Sequence, residues 1–310
     1  MSGQDKLITR REFLKGSSTA LTAMSGLTIG CNTGGDSPSD KNRNRPAINT
    51  KAFSWWHEEG FIVHETVDTK RINKGIIRAC INGLWREFKV IDLPERFVNW
   101  SFKTRVSRLR RMLSFGGLDP RDLAGSHNAC VATYGGPSRD SAISLNTAYK
   151  GMGFAIHTNR IAKTTESIIE EQNRIERDFR GNPTRAIQAK VRFLAEFYSH
   201  ISSFDRTKQV SLELFTTPKF HTHTFLNMMI NPIASASFLA FPTFEIRAVP
   251  QLLHPKNPGL SEYERDLIAY TNTIHDFIHS GHGERMTCVY HVIELFDDTP
   301  NEDNKGRRIA

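Results

Sequence analysis

The sequence contains few cysteines. Its 310 residues include only Cys31, Cys80, Cys130 and Cys288, and no two of them form a C-x-x-C pair. Cysteines this few and this widely spaced exclude a disulfide framework, an iron–sulfur cluster and a covalently attached c-type haem. The composition still allows at most one disulfide bond.

The sequence also lacks a run of about 20 apolar residues, which is the length that crosses a bilayer. We therefore expect the folded part of the chain to be soluble or held at a membrane surface. Phosphate loops of the G-x-x-x-x-G-K-[ST] type, G-x-G-x-x-G fingerprints and the G-x-S-x-G turn are absent as well. These absences exclude the common nucleotide-binding loops and leave a serine hydrolase without support.

A motif near the N-terminus is the most specific feature of the chain. It reads Thr9-Arg10-Arg11-Glu12-Phe13-Leu14-Lys15, and a short, weakly apolar stretch from Gly16 to Ile29 follows it. The motif resembles the twin-arginine (Tat) signal S/T-R-R-x-F-L-K, which carries folded proteins across the cytoplasmic membrane. The resemblance implies a Tat signal peptide over residues 1–30, the Tat translocase as a partner, and a periplasmic or cell-surface location.

Two kinds of processing fit the end of this signal. Leu27-Thr28-Ile29-Gly30-Cys31 resembles a lipobox, in which Cys31 would be lipidated and would anchor the chain to the membrane, while ordinary signal-peptidase cleavage nearby fits equally well. Residues 31–49 have the composition of a flexible tether. The formal net charge is +8. Because we expect export, we expect no nucleic-acid partner, and anionic headgroups or an anionic cofactor remain as counterparts of this charge.

Residues 50–125 are predicted to form a helical subdomain. Apolar residues from Ile72 to Phe88 are spaced for one face of a helix over residues 70–91, and a second, basic helix is predicted from Val98 to Leu113. The basic face of this second helix is either its solvated side or a contact for phosphates or lipid headgroups.

Residues 126–298 are predicted to form an α+β domain, followed by a disordered tail over residues 299–310. The predicted strands are Ala129–Tyr134, Ser141–Ala148, Met152–Thr158, Gln209–Thr216, Ala234–Phe241, Phe244–Leu253 and Met286–Phe296. The predicted helices are Lys163–Phe179, Thr184–Ile201 and Ser261–His279. Pro250 indicates an edge or a bulge in its strand.

Short motifs in this domain resemble those of a known superfamily. They are Ala132-Thr133, Gly136-Pro137-Ser138, the run from Gly153 to Asn159 (GFAIHTN) with Lys163 beyond it, and the run from Asn231 to Leu239 (NPIASASFL). Residues 129–163 and 231–250 thereby resemble the FMN-binding split barrel, the pyridoxamine-phosphate-oxidase-like superfamily. The resemblance implies an antiparallel split β-barrel-like core with inserted helices, an FMN or related flavin cofactor, a small-molecule substrate and a homodimer.

The resemblance also implies which residues bind the cofactor. Thr158, Asn159 and Lys163 would lie near the phosphate or the ribityl chain, where hydroxyl, amide and ammonium groups suit a dianion. The adjacent strand would contribute Ser141, Ser144 and Asn146. The chain departs from the family here, because Ser141 and Asn146 stand where the family has basic residues, and because the segment between Asn159 and Asn231 is longer than the family's.

The histidines support a different reading. In an extended segment His221 and His223 would point to the same side, and His275, His279 and His282 are spaced for one face of a helix. If the two sets face each other, they form an all-nitrogen site for Cu, Zn or Fe, with Asp276 and Glu284 in supporting positions. Scattered surface histidines are the other explanation, and the same holds for His57, His64 and His127.

Three hypotheses of function follow. The leading one is an exported oxidoreductase that binds FMN or a related flavin, since export in the folded state is common among proteins that receive a cofactor beforehand. The alternatives are a histidine-ligated metalloenzyme and a non-catalytic envelope lipoprotein that holds a partner or a membrane through its basic helix. No residue pattern identifies a catalytic base or a substrate.

Overall fold

The computed structural model describes residues 55–115, 124–135, 143–279, 283–300 and 306–310. The predicted signal peptide, the tether and Cys31 lie outside the described residues, as do Ser141 and His282.

The described chain is an α+β protein, as the sequence predicted. Its helices are α1 (Glu95–Phe115), α2 (Ile161–Asp178), α3 (Pro183–Phe197), α4 (His223–Ile230) and α5 (Glu262–His279). Its strands are β1 (Val67–Asp68), β2 (Ile76–Ile81), β3 (Leu84–Lys89), β4 (Asn128–Tyr134), β5 (Leu145–Gly151), β6 (Gly153–Ile156), β7 (Phe204–Glu213), β8 (Ala234–Phe238), β9 (Phe244–Leu253), β10 (Met286–Asp297) and β11 (Arg307–Arg308).

The larger sheet forms a barrel-like core of antiparallel strands. Its strand order is β5-β4-β8-β9-β10-β7-β6. Strands β5 and β6 stand at opposite ends of this order, yet in the chain they are separated by Met152 alone. The run from Leu145 to Ile156 therefore pairs with β4 through its first part and with β7 through its second, which curls the sheet around. The barrel stays split where β5 passes the end of β7.

Met152 marks the point where the strand changes partners. Its backbone N–H donates to His127 O at 2.8 Å, and its carbonyl oxygen accepts from Arg105 Nη2 at 2.8 Å. Arg105 is 5% exposed and also donates to Ser126 O at 2.6 Å. We call Met152, the residue at which the strand changes partners, the partner switch. Because α1 carries Arg105, this helix is hydrogen-bonded directly to the partner switch.

Two helices cover the ends of the barrel. At one end, Phe97 and Phe102 of α1 pack with their ring centroids 5.3 Å from Phe244 and 4.7 Å from Phe154, respectively. At the other end, α4 lies across β4 and β5, where Asn227 donates to the Thr133 hydroxyl. The sequence predicted α1 nearly to its boundaries, and it gave no indication of α4. Helices α2, α3 and α5 form a further layer, in which α2 packs on α3 and α5.

The helix predicted over residues 70–91 is wrong. This segment forms the hairpin of β2 and β3, which with β1 makes a separate three-stranded sheet. Asn82 and Gly83 at the turn have φ values of 52° and 79°, the left-handed conformation that two-residue hairpin turns require. Alternate residues of β2 are buried against Val249 of β9, so the apolar pattern has the period of a strand.

The C-terminal tail is more ordered than the sequence predicted. Arg307–Arg308 pairs with Phe296 and Asp297 of β10, and Ala310 O accepts from Leu295 N at 3.0 Å. Pro250, in contrast, lies at an edge, as its lack of a backbone N–H predicted. It pairs with Tyr290 on one side, and β8 ends its pairing at Ala248 on the other. The missing donor therefore falls at an edge.

Candidate functional site

The face of the sheet that points into the barrel follows from the strand register. Residues directly opposite each other in antiparallel strands project to the same side. Gln209 lies opposite Tyr290, and Ser211 opposite Cys288. Along β4 and β5 this side is the more buried one, while alternate residues of β5 on the other side are exposed. The buried side is therefore the inner face.

Polar and titratable side chains are concentrated on this inner face. Lys150 lies opposite Ala129 in the pairing of β5 with β4, and Glu213 lies opposite Met286 in the pairing of β7 with β10. We call the following residues the inner polar cluster: Lys150, Gln209, Ser211, Glu213, Cys288 and Tyr290. Polar groups gathered inside a barrel are costly unless they bind each other or a guest.

A buried ion pair closes the split between β5 and β7. Lys150 Nζ lies 2.7 Å from Glu213 Oε2, with the two side chains 14% and 2% exposed. The other carboxylate oxygen of Glu213 accepts from the hydroxyls of Thr216 and Thr222 at 3.1 and 3.0 Å. Thr222 also caps α4, where its hydroxyl accepts from Phe225 N. Glu213 thus connects the barrel wall to the helix that covers it.

Deeper in the barrel, two polar side chains lack partners among the residues that the structure describes. Gln209 is completely buried, and neither its amide nitrogen nor its amide oxygen has a hydrogen-bond partner there. The hydroxyl of Tyr290, which is 1% exposed, is also unpartnered. The thiol of Cys288 lies near this hydroxyl but does not have hydrogen-bond geometry with it. Buried groups of this kind are rare in folded proteins and indicate an additional partner, such as water or a ligand.

Burial keeps the thiol and the phenol of the cluster protonated. It raises the pKa of the Cys288 thiol to about 12. Burial, followed by the nearby Cys288, raises the pKa of Tyr290 well above its usual value. A thiol that remains protonated is a poor nucleophile. Chemically, the cluster can therefore donate hydrogen bonds through Tyr290, and both donate and accept them through Gln209, but it does not offer a reactive cysteine.

The N-terminal segment from Trp55 to Thr66 holds α4 in place over this end of the barrel. His64 Nε2 lies 2.9 Å from Met228 O, and Leu252 N donates to His64 Nδ1 at 2.9 Å. The Thr66 hydroxyl donates to Met229 O at 3.0 Å. The His64 ring must therefore be neutral, with its hydrogen on Nε2, and burial lowers its pKa to about 4. The cluster is enclosed by two layers of chain at this end.

The residues predicted to bind a flavin fall into two separate groups. Ser144 and Asn146 lie where β5 begins, and the Asn146 side chain donates to the Thr224 hydroxyl at 2.8 Å. Thr158 and Asn159 follow the end of β6, and Lys163 lies in the first turn of α2, all of them exposed. Because these groups flank the two ends of one strand run, the fold does not bring them together.

The predicted histidine ligands are also distributed over two places. His221 precedes α4, where its Nε2 accepts from Trp56 Nε1 at 2.9 Å, and His223 is the first residue of α4. His275 and His279 lie on α5, with ring centroids 4.8 Å apart. Burial lowers the pKa of both, that of His279 to about 4.

The supporting acid Asp276 contacts His275, whose Nδ1 lies 3.1 Å from Asp276 Oδ1. Its carboxylate accepts from Arg285 Nη1 at 2.7 Å, and Glu284 is exposed. Within the described ranges, no three His, Cys, Asp or Glu side chains lie close enough to hold a metal ion. No helix among the described residues is long and apolar enough to cross a membrane.

The inner polar cluster was not predicted from the sequence, although a signal was present. In β7, Gln209, Ser211 and Glu213 alternate with Val210 and Leu212. The usual reading of such alternation places the polar residues in solvent. Here the apolar side is covered by α5 and the polar side faces into the barrel, so both sides of β7 are buried.

Comparison with known proteins identifies no relative of this chain. No family matches it in a scan of protein families, and neither the curated proteins nor the solved structures contain a match.

Proposed function

We propose that this protein is an exported oxidoreductase that holds FMN or a related flavin, with the isoalloxazine ring against the inner polar cluster. The observation that carries the proposal is the buried, unpartnered amide of Gln209 together with the unpartnered hydroxyl of Tyr290. The twin-arginine motif supports the export of a protein that has already folded around its cofactor.

Without a bound partner, the buried groups of Gln209 and Tyr290 destabilise the folded protein. A buried donor or acceptor without a partner costs about 1–3 kcal/mol. Gln209 contributes one donor group and one acceptor, and Tyr290 contributes a hydroxyl. A guest that pairs with all three recovers this free energy on binding, which favours a ligand that presents several polar atoms along one edge.

The chemistry of the groups fits a flavin. A primary amide offers an N–H donor beside a C=O acceptor, and the pyrimidine ring of isoalloxazine presents an N–H beside two carbonyl oxygens, which is the complementary pattern.

In this proposal the flavin supplies the redox chemistry, and the chain binds and orients it. Gln209 fixes the edge of the ring, and the protonated hydroxyl of Tyr290 donates a hydrogen bond. Glu213 is engaged by Lys150 and two threonine hydroxyls, so it orients the barrel wall and is not placed to act as a base. Helix α4 and the N-terminal segment over it exclude water from this end.

The first test is the absorbance spectrum of the purified full chain, measured together with its metal content. We expect a yellow protein that releases a fluorescent flavin on denaturation. A haem spectrum would overturn the choice of flavin. A colourless protein with stoichiometric Cu, Zn or Fe would replace the proposal by the histidine-ligated alternative.

The second test is the substitution Gln209→Met, which keeps the size of the side chain and removes both amide atoms. We expect the variant to lose flavin affinity by about ten-fold or more, because two hydrogen bonds to the ring disappear. The matched control is Gln172→Met, since the Gln172 amide lies on the outside of α2 and binds Glu176. Unchanged flavin content in the Gln209 variant would refute the proposed location.

A further inference from the structure

A turn at the α1 end of the barrel presents two large apolar side chains to solvent. Leu239 and Phe241, in the connection from β8 to β9, are 67% and 81% exposed. The turn itself is well held. Ala240 N donates to Phe238 O at 2.9 Å, and the Thr243 hydroxyl donates to Ala240 O at 2.7 Å. A firmly held turn that exposes a leucine and a phenylalanine indicates a surface that other molecules cover.

The turn lies directly beside α1. Leu239 O accepts from Gly125 N at 3.1 Å, and a methyl group placed on Gly125 would lie 3.6 Å from the methyl of Thr104. The Trp100 ring packs on Phe238 with centroids 5.8 Å apart. The exposed pair and the solvent-facing side of α1 therefore form one continuous surface.

The solvent-facing side of α1 is basic. The exposed residues of this helix are Glu95, Arg96, Asn99, Lys103, Ser107, Arg110, Arg111 and Ser114. Glu95 is the one acidic residue of the helix. Arg96 is paired with Asp297, and in the described part of the chain no ion pair involves Lys103 or Arg110. We call Leu239, Phe241, Lys103 and Arg110 the basal patch.

We propose that the basal patch docks on an anionic lipid bilayer, with Leu239 and Phe241 inserted among the acyl chains and Lys103 and Arg110 among the headgroups. Apolar side chains beside cations are the combination that holds proteins at the surface of such a membrane. Among the acids near this end, Glu245 is paired with Arg247 and Asp297 with Arg96, whereas Asp298 lies beside Glu245, and burial followed by this neighbour raises its pKa. Glu213 and Cys288 of the inner polar cluster contact Thr222 and Met228 at the α4 end, so docking through α1 leaves that end facing away from the lipid.

The experiment is vesicle co-sedimentation of the full 310-residue chain. The probes are vesicles of phosphatidylcholine alone and of phosphatidylcholine mixed with phosphatidylglycerol. We expect binding to the mixed vesicles that weakens at high salt. All variants contain the same N-terminal segment, so a difference in vesicle binding between them is due to the basal patch. Equal binding to both kinds of vesicle, or to neither, would overturn the proposal.

Two pairs of variants test the two parts of the patch. Leu239→Ser with Phe241→Ser should weaken binding at least about ten-fold. Its matched control, Leu84→Ser with Phe220→Ser, removes a leucine and a phenylalanine elsewhere that are 63% and 59% exposed, and it should bind as the wild type does.

For the charges, Lys103→Glu with Arg110→Glu should weaken binding by at least about five-fold per position. Lys163→Glu with Arg180→Glu changes the net charge equally on another face and should have a much smaller effect. Circular dichroism checks that each variant folds. If folded variants of the patch bind as well as their controls, the patch is not the docking surface.

Discussion

The ion pair between Lys150 and Glu213 should be the most important single interaction for closing the barrel. We predict that Glu213→Gln, which preserves the shape of the side chain and removes its charge, destabilises the protein by about 3–5 kcal/mol. Loss of one partner of a buried pair leaves the other charge buried without compensation. The amide can still accept from the threonine hydroxyls, so the loss reports the charge rather than the hydrogen bonds.

The assay is thermal unfolding followed by circular dichroism, with urea unfolding as a second measurement. In a chain of this size about 1 kcal/mol shifts Tm by about 2–4 °C, so the expected decrease is about 6–20 °C. Because Lys150 and Glu213 are 14% and 2% exposed, solvent screening reduces this value little.

The matched control is Glu87→Gln. Glu87 lies 2.6 Å from Arg71, but both side chains are about half exposed, so the loss should be below about 1 kcal/mol. A double-mutant cycle that adds Lys150→Met should recover part of the stability lost in Glu213→Gln, because the uncompensated charge is then gone. A loss in Glu213→Gln no larger than in the control would refute the view that this pair holds the barrel closed.

Three further predictions concern other parts of the fold. Burial lowers the pKa of His64 to about 4, so the native state binds fewer protons than the unfolded chain between pH 6.5 and 4. The free energy of unfolding should therefore fall by about 3 kcal/mol as the pH decreases through this range. Urea unfolding of His64→Gln should show a shallower fall with pH. Arg105→Met removes the donor to two buried carbonyl groups, so we expect a loss of about 3–5 kcal/mol in urea unfolding, and an unchanged midpoint would contradict the role of Arg105 at the partner switch. Gly135 has a φ of 107°, and a Cβ there would lie 1.8 Å from Asn231 Nδ2. Gly135→Ala should therefore lower the free energy of unfolding by about 2–4 kcal/mol, which thermal unfolding measures as a lower Tm. Gly151→Ala, where no atom lies within 4 Å of the added Cβ, should change Tm little.

Where one side of an element is clearly apolar, the sequence predicts that element well. The apolar residues of α1 recur at helical spacing, and β4 alternates, so both were predicted close to their observed boundaries. The hairpin of β2 and β3 was predicted as a helix because its isoleucines also fit a helical period, although Asn82-Gly83 is typical of a two-residue hairpin turn. Helix α4 is too short for its period to be distinguished from a loop.

The candidate site was harder to predict for a physical reason. The sequence indicates which residues are polar, but whether a polar face points inward depends on closure of the sheet. Closure is set by the strand run through β5 and β6, which pairs with β4 just before it and with β7 beyond two helices. The described residues predicted to bind a flavin flank the two ends of one strand run, and a local motif cannot reveal this separation.

The continuous strand run from Leu145 to Ile156 has a consequence for how the protein folds. Ala132 on β4 pairs with Ser235 on β8, so the barrel is complete only after segments far apart in sequence have met. Contacts between residues that are far apart in the sequence slow folding. Until Lys150 meets Glu213, β5 and the end of β7 beyond its pairing with β6 at Val210 are both open edges, and a partly folded chain exposes them to other chains. The refolding yield of the protein in vitro should therefore fall steeply as the protein concentration rises.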